Sequence, residues 1–408
     1  ELTDLDIYKI NGPVNLNRFY SIYDDIKLKA LKFPEYKSKR ESRYVNNKKE
    51  YFDYLKDNDI VLHHPYNDFK LVIGFIKAAV LDKKTRAIKQ TIYRTSPNSE
   101  IIKLLIKAAS RNISVTVVIE LRAKFDEEQN IKIAKMLEDA GVQVTYGIRK
   151  HKTHAKALLV VREEKGKLKN YFHLGTGNYN SETASQYTDF GLISSNKEMA
   201  YDIHKFFSQL TGSNKDTRFK HLFISPINSY KKIIKLVSTE IKNKINGKDA
   251  FIRAKMNQLT ERKIISKLYE ASKVGVKIEL YVRGECILIP GIKGLSENIK
   301  VYSTIGRYLE HSRAFFFCNN NNPKLYLSSA DLMTRNIHNR VEIFFPIINK
   351  KHRERICFEA FDLQKTDNFK LWKLDSTGKY YRKSPSKGHK RLHSQDELCK
   401  IHGVINAS

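Results

Sequence analysis

Apolar positions along the chain follow two periods, one suited to strands and one to helices. The run Ala87-Ile-Lys-Gln-Thr-Ile-Tyr93 is short and rich in β-branched residues, and it predicts a strand. Ser99 to Ser110 then sets Ile101, Ile102, Leu104, Leu105 and Ala108 on one helix face, with Thr95-Ser-Pro-Asn-Ser99 supplying the N-cap. Further strands are predicted at Ser114–Leu121, Val142–Tyr146, Ala157–Val161 and Tyr171–Leu174, with a helix at Glu127–Ala140. The last strand runs into Gly175-Thr-Gly-Asn-Tyr-Asn180. Such alternation predicts a sheet flanked by helices.

The second half repeats the order. Strand Ala250–Lys255, helix Glu261–Ser272, strand Lys277–Val282, a glycine-rich connection, and strands Ile299–Tyr302, Ala314–Phe317 and Lys324–Leu327 follow one another, the last entering Ser328-Ser-Ala-Asp331. Ile101-Ile102 with Ala108-Ala-Ser110 is echoed by Ile264-Ile265 with Glu270-Ala-Ser272. The chain therefore reads as a duplication, α/β in class, with two tandem domains related by a pseudo-twofold axis. Residues 1–40, rich in Tyr and Lys, read as the remnant of a preceding domain. The first unit spans 41–221 and the second 222–408. A helix at Lys351–Asp362 closes the second unit, and Arg382-Lys383 and Lys387-Gly-His-Lys-Arg391 read as a solvated basic tail.

Composition narrows the class. With 408 residues and 41% hydrophobic content, the chain can fold into about two or three domains rather than a basic disordered tail. Its formal charge of +30 predicts attraction to a polyanion or an acidic membrane surface, without choosing between them. Cys286, Cys318, Cys357 and Cys399 form no CxxC pair, which favours neither a disulfide framework nor a zinc site and suits a reducing cytosol. No apolar run approaches the roughly 20 residues of a membrane span. The start at Glu1 suggests a piece of a longer protein.

The candidate chemistry lies in two short motifs, Thr153-His-Ala-Lys156 and Glu310-His-Ser-Arg313, 157 positions apart and each leading into a histidine strand. Residues two apart share one side of a strand, so each motif aligns an imidazole with a cation able to hold an anion. Duplication brings equivalent motifs face to face, giving one site with a histidine from each half. An imidazole of pKa about 6.5 is mostly neutral at pH 7 and can attack phosphorus without a separate base. Two adjacent histidines titrate as a coupled pair, and the local residues do not say which is the nucleophile.

The doubled H-x-[KR] motif, its strand and the small-residue turn resemble the phospholipase D superfamily. The superfamily's Asp, five residues after the cation, is replaced here by Val161 and Cys318. Flanking segments resemble one branch, polyphosphate kinase of the first type, from about His63 to Pro346. They include Glu120-Leu-Arg-Ala-Lys-Phe-Asp-Glu-Glu128, Lys152-Thr-His-Ala-Lys156, His173-Leu-Gly-Thr-Gly-Asn178, Tyr187-Thr-Asp189, Val282-Arg-Gly284, Tyr308-Leu-Glu-His-Ser-Arg313 and Ser328-Ser-Ala-Asp-Leu-Met-Thr-Arg-Asn336.

The resemblance implies two phospholipase D-like domains, each a mixed sheet flanked by helices, preceded by the end of a helical domain. It implies reversible transfer of the ATP γ-phosphate to inorganic polyphosphate through a phosphohistidine. His154 matches the phosphorylated histidine, and His311 the second histidine, which contacts ATP and assists proton or charge transfer. Tyr187 and Arg283 match nucleotide contacts. Arg94 matches an arginine beside Mg²⁺ and the phosphates, and Lys124 stands where its companion arginine is expected. Lys156 and Arg313 are expected to support phosphate. The family implies ATP and ADP, polyphosphate, Mg²⁺ and a homo-oligomer as partners, with no specific nucleic acid, a cytoplasmic location and an option of peripheral membrane contact. His173 reads as structural, Asp126 to Glu128 as a helix start, and His63-His-Pro-Tyr66 as a loop near the site. A phosphodiesterase and a polyanion-binding module with an inactive site are the competing readings.

Overall fold

The computed structural model describes residues 10–15, 19–39, 48–121, 127–148, 150–213, 216 and 218–405. At the centre of the first domain is the histidine strand Lys156–Glu164. Its side chains divide by parity: Leu158 and Val160 enter one core, while Ala157, Leu159 and Val161 enter another. A strand with a core on each face must be apolar at consecutive positions, which explains the run Ala-Leu-Leu-Val-Val.

This strand pairs antiparallel with Thr85–Ile92 on one side and Lys167–Gly175 on the other. Beyond Thr85–Ile92 lie the parallel strands Ser114–Ile119 and Gln143–Thr145; beyond Lys167–Gly175 come Tyr187–Ser194 and Ile60–His64, both antiparallel. Helices Lys70–Leu81, Glu100–Ala109 and Glu127–Asp139 cover the outer face. The predicted cap forms, with Ser99 accepting the Ile102 amide, a bond worth about 1 kcal/mol.

The second domain repeats this plan around Ala314–Phe317. That strand pairs antiparallel with Phe251–Met256 and Lys324–Ser328. Lys277–Val282 and Ile299–Thr304 extend one side, and Arg340–Pro346 and Phe223–Ser225 the other. Phe315 and Phe317 point to an outer core under helices Ser229–Ile245 and Arg262–Lys273. Ala314 faces a core shared by both domains, where Leu159 and Phe190 of the first meet Tyr281, Ile343 and Phe345 of the second. The two tandem α/β domains expected from the duplication are present.

The domains also exchange strands. Lys152–Thr153 pairs in parallel with the start of Arg340–Pro346 in the second domain, with Lys152 opposite Arg340 and Thr153 opposite Val341. Leu309–Glu310 pairs likewise with the start of Tyr187–Ser194 in the first, with Leu309 opposite Tyr187 and Glu310 opposite Thr188. Each histidine motif thus enters its own sheet directly from a hydrogen-bonded position on the other.

The C-terminal region is more structured than a solvated tail. The helix predicted at Lys351–Asp362 is α-helical over Lys350–Cys357 and widens into a π turn at Phe358–Asp362, burying Glu359, Ala360 and Phe361. Leu371–Leu374 and Tyr380–Arg382 extend the second sheet, and helix Ser394–His402 buries Ser394, Gln395, Leu398 and Cys399. Residues 387–391 are exposed, as their charge requires. Strand Gly403–Ile405 pairs with Tyr36–Ser38, joining the two ends of the described chain. Among the described residues no helix is long and apolar enough to cross a membrane.

Candidate active site

His154 sits where the exchanged strand enters its own sheet. Its amide and that of Ala155 both donate to the Val341 carbonyl, each at 2.9 Å. Its Nδ1 lies 2.8 Å from Glu342 Oε1 and 2.9 Å from Oε2, so the ring of the first domain is held by a carboxylate of the second. The Ser329 hydroxyl donates to the same carboxylate, which is fully buried. Nε2 faces Lys156 Nζ at 2.9 Å, and that ammonium also donates to the His154 carbonyl at 2.6 Å. The Tyr93 ring meets the imidazole edge-on, with centroids 4.7 Å apart.

His311 repeats the arrangement in the opposite direction. Its amide donates to Thr188 Oγ1 at 3.1 Å, and its Nδ1 lies 2.8 Å from Asp189 of the first domain. Thr176 Oγ1 donates to Asp189 at 2.5 Å, in the place that Ser329 holds beside Glu342. Arg313 Nη1 lies 3.1 Å from His311 Nε2, and the same guanidinium grips Asp331 at 3.0 and 3.2 Å. Tyr187 stands beside the ring at 5.2 Å. A carboxylate at Nδ1 fixes the tautomer, placing the proton there and the lone pair at Nε2.

Burial lowers the pKa of His154 well below the imidazole range, and the positive charges of Lys156, Arg340 and Arg313 and of a protonated His311 lower it further. His311 is lowered chiefly by burial and then by Arg313. The two motifs are linked through the second domain: Ser329, which holds Glu342, follows Ser328, whose amide donates to the Arg313 carbonyl at 3.1 Å. Burial also brings the Lys156 ammonium down to about 7 and raises Glu342 to about 7, each restrained by the opposite charge of the other.

The remaining predicted residues fall at different distances from the chemistry. Tyr187 and Arg283 border His311: Arg283 donates to Asn257 Oδ1 at 3.0 Å and to the Glu310 carbonyl at 3.1 Å. Arg94 is half-buried and follows Tyr93, whose ring it overlies at 5.7 Å. Lys124 and Asp126 lie outside the described residues, whereas Glu127 and Glu128 form an exposed first helical turn. Lys156 and Arg313 are buried and already bonded to histidine and Asp331. His173 is buried against the Tyr179 hydroxyl at 2.8 Å. His63 stacks on Phe190 at 4.0 Å and bonds Glu359 at 2.7 Å.

Residue-by-residue reading did not nominate Asp189, Glu342, Thr176, Ser329, Tyr93 or Arg340. A signal for the carboxylates was present: each is the one acid in an otherwise apolar strand, in Tyr187-Thr-Asp-Phe-Gly-Leu-Ile193 and Arg340-Val-Glu-Ile-Phe-Phe345, at the same place in both repeats. Among the described residues no group of three or more His, Cys, Asp or Glu side chains is arranged to hold a metal ion.

Comparison with known proteins agrees with this layout. Residues 50–216 match the family described as Polyphosphate kinase C-terminal domain 1, and residues 222–395 match Polyphosphate kinase C-terminal domain 2. The chain belongs to the polyphosphate kinase family. The polyphosphate kinases of Xylella fastidiosa (strain Temecula1) and Pseudomonas aeruginosa are each 43% identical to it, over 392 and 397 residues. These alignments cover 96% and 97% of this chain but 56% and 57% of the relatives, so the chain spans about half the length of the curated polyphosphate kinases it matches. The crystal structure of polyphosphate kinase from Porphyromonas gingivalis superposes with a TM-score of 0.80 at 32% identity, covering 86% of this chain and 53% of that one. Phosphatidylserine synthase from Haemophilus influenzae, at 10% identity and a TM-score of 0.51 over 87% of this chain and 96% of that one, shares the fold.

Proposed function

We propose that this chain carries the catalytic centre of a polyphosphate kinase, which moves the γ-phosphoryl group of ATP to inorganic polyphosphate and back through a phosphohistidine. The observation that carries this reading is the reciprocal clamp. Each histidine is held at Nδ1 by a carboxylate of the other domain, which turns each Nε2 toward the cation of its own motif, Lys156 or Arg313, where an incoming phosphate would take that cation over.

Nε2 of His154 attacks the γ-phosphorus in line. The P–N bond forms as the bond from phosphorus to the bridging oxygen breaks, and ADP leaves with that electron pair. The terminal oxygen of polyphosphate then attacks the same phosphorus, and the P–N bond breaks. His154 starts neutral because its pKa is depressed, so no separate base is needed. As positive charge develops on the ring, the Glu342 carboxylate balances it across the Nδ1–H bond, the proton staying on Nδ1.

Phosphoryl transfer is mostly positioning and charge neutralisation, which suits Arg94, Lys124, Lys156, Arg283 and Arg313. Tyr187 and His311 are assigned to the nucleotide side. Mg²⁺ would be carried by the nucleotide phosphates and would withdraw charge from their oxygens; among the described residues no group of three or more His, Cys, Asp or Glu side chains is arranged to hold it.

The test is a pulse and chase in the full-length protein. With γ-labelled ATP and Mg²⁺ the protein takes up label, and unlabelled polyphosphate then removes it into acid-insoluble polymer; His154→Ala abolishes both stages. Cleavage of nucleic-acid or lipid diesters without protein labelling would overturn the reading.

A further inference from the structure

The two histidines are alike in their nearest contacts and unlike in what stands behind them. On the His311 side, helix Ser394–His402 of the C-terminal region reaches the strand that carries the histidine. The Gln395 side-chain amide pairs with the Tyr308 backbone as a neighbouring strand would: Oε1 accepts the Tyr308 amide at 2.9 Å, and Nε2 donates to the Tyr308 carbonyl at 2.8 Å. Nε2 also donates to Glu310 Oε1 at 2.7 Å.

Glu310, immediately before His311, is buried and further held by Lys255 at 2.6 Å and by the Thr188 hydroxyl at 3.1 Å. That same hydroxyl oxygen accepts the His311 amide. Gln395 is itself seated firmly: the Ser394 amide and hydroxyl both donate to buried Asp367, at 2.8 and 3.0 Å. Gly306 allows the approach, because a Cβ there would run into the Gln395 and His393 side chains. On the His154 side, Thr153 stands in place of Glu310, and its amide donates to Glu120 at 2.7 Å.

We infer that Gln395 is a positioning residue for His311, fixing it through Tyr308 and Glu310, so that the C-terminal helix is a working part of the active site. His311 is thereby braced from the C-terminal helix, whereas the residue before His154 is braced by Glu120. The inference rests on the proposed role of His311 in transfer. A displacement of about 1 Å in such a group can cost on the order of a hundredfold in rate, so even a partial release is measurable.

The test compares Gln395→Met, Gln395→Asn, His311→Ala and the Gln395→Met/His311→Ala pair in the full-length protein. Methionine keeps the volume without the amide. Asparagine keeps the amide one methylene short, and serves if the methionine variant fails to fold. The expected result is a roughly tenfold or greater fall in kcat for each Gln395 variant, with KM for ATP changing no more than it does in His311→Ala. The pair should be no slower than His311→Ala alone, since residues acting through one another are non-additive. Wild-type kcat in both Gln395 variants beside an impaired His311→Ala overturns the inference. Multiplied losses in the pair overturn it as well, as a general structural defect. Full activity in His311→Ala would instead overturn the role of His311 itself.

Discussion

Glu342 Oε1 lies 2.8 Å from His154 Nδ1, although the two residues belong to different domains. A carboxylate there orients the ring and can take up charge as the phosphorus bond forms. Replacing it with an amide separates the two effects, because Gln can still accept the Nδ1 proton bond but cannot balance a cation. Glu342→Gln should therefore slow labelling of His154 about 10- to 100-fold while leaving the fold intact. The check is the single-turnover rate of protein labelling, where an unchanged rate would remove Glu342 from the chemistry.

Lys156 gives the site a pH dependence whose sign follows from burial. Its pKa is lowered to about 7, so the ammonium is present below that pH and lost above it. His154, lowered well below the usual range, stays neutral across the same window. If the Lys156 charge neutralises phosphate oxygens, kcat/KM should fall as pH rises through about 7, and Lys156→Arg should move that fall to higher pH. A profile in Lys156→Arg that superposes on the wild type would assign the limb to another group, Glu342 being the coupled candidate.

Gly177 tests the support of His311 by packing alone. A Cβ at this position would enter the Asp189 carboxylate, whereas its counterpart in the second repeat is Ala330. Gly177→Ala should cost about 1–3 kcal/mol of stability and lower kcat by displacing Asp189 from His311. Thermal unfolding and steady-state kinetics measured together check both parts; an unaffected kcat would show that the histidine tolerates the shift.

Tyr187 stands beside His311 with its ring half-buried, where an aromatic face suits a nucleotide base. Tyr187→Ala should raise KM for ATP roughly tenfold, whereas Tyr187→Phe keeps it near wild type, because base stacking is worth about 1–3 kcal/mol and uses the ring rather than the hydroxyl. Equal losses in both variants would point to the hydroxyl.

Much of this structure is legible in the sequence because both sheets have a core on each face. Runs such as Ala157–Val161 and Ala314–Phe317 are then continuous and apolar, and the duplication repeats them in order. The strand exchange is not legible in the same way. Lys152 and Thr153 are too few to show a period, and their partners Arg340 and Val341 lie almost half the chain away. The carboxylates are masked for the same reason: Asp189 and Glu342 acquire their histidines only when the second domain arrives. The C-terminal helix escapes notice because its basic flank dominates the local composition, while its buried contacts come from Ser394, Gln395, Leu398 and Cys399.

We propose that His154 carries the phosphoryl group on Nε2, the ring nitrogen opposite the Glu342 clamp. The most direct measurement is to trap the phosphorylated full-length protein and locate the phosphate by peptide mass spectrometry and by phosphorus–nitrogen coupling in ¹⁵N-histidine-labelled material. One phosphate, acid-labile and base-stable, is expected on Nε2 of His154. Phosphate on Nδ1 of His154, or on His311, would contradict it.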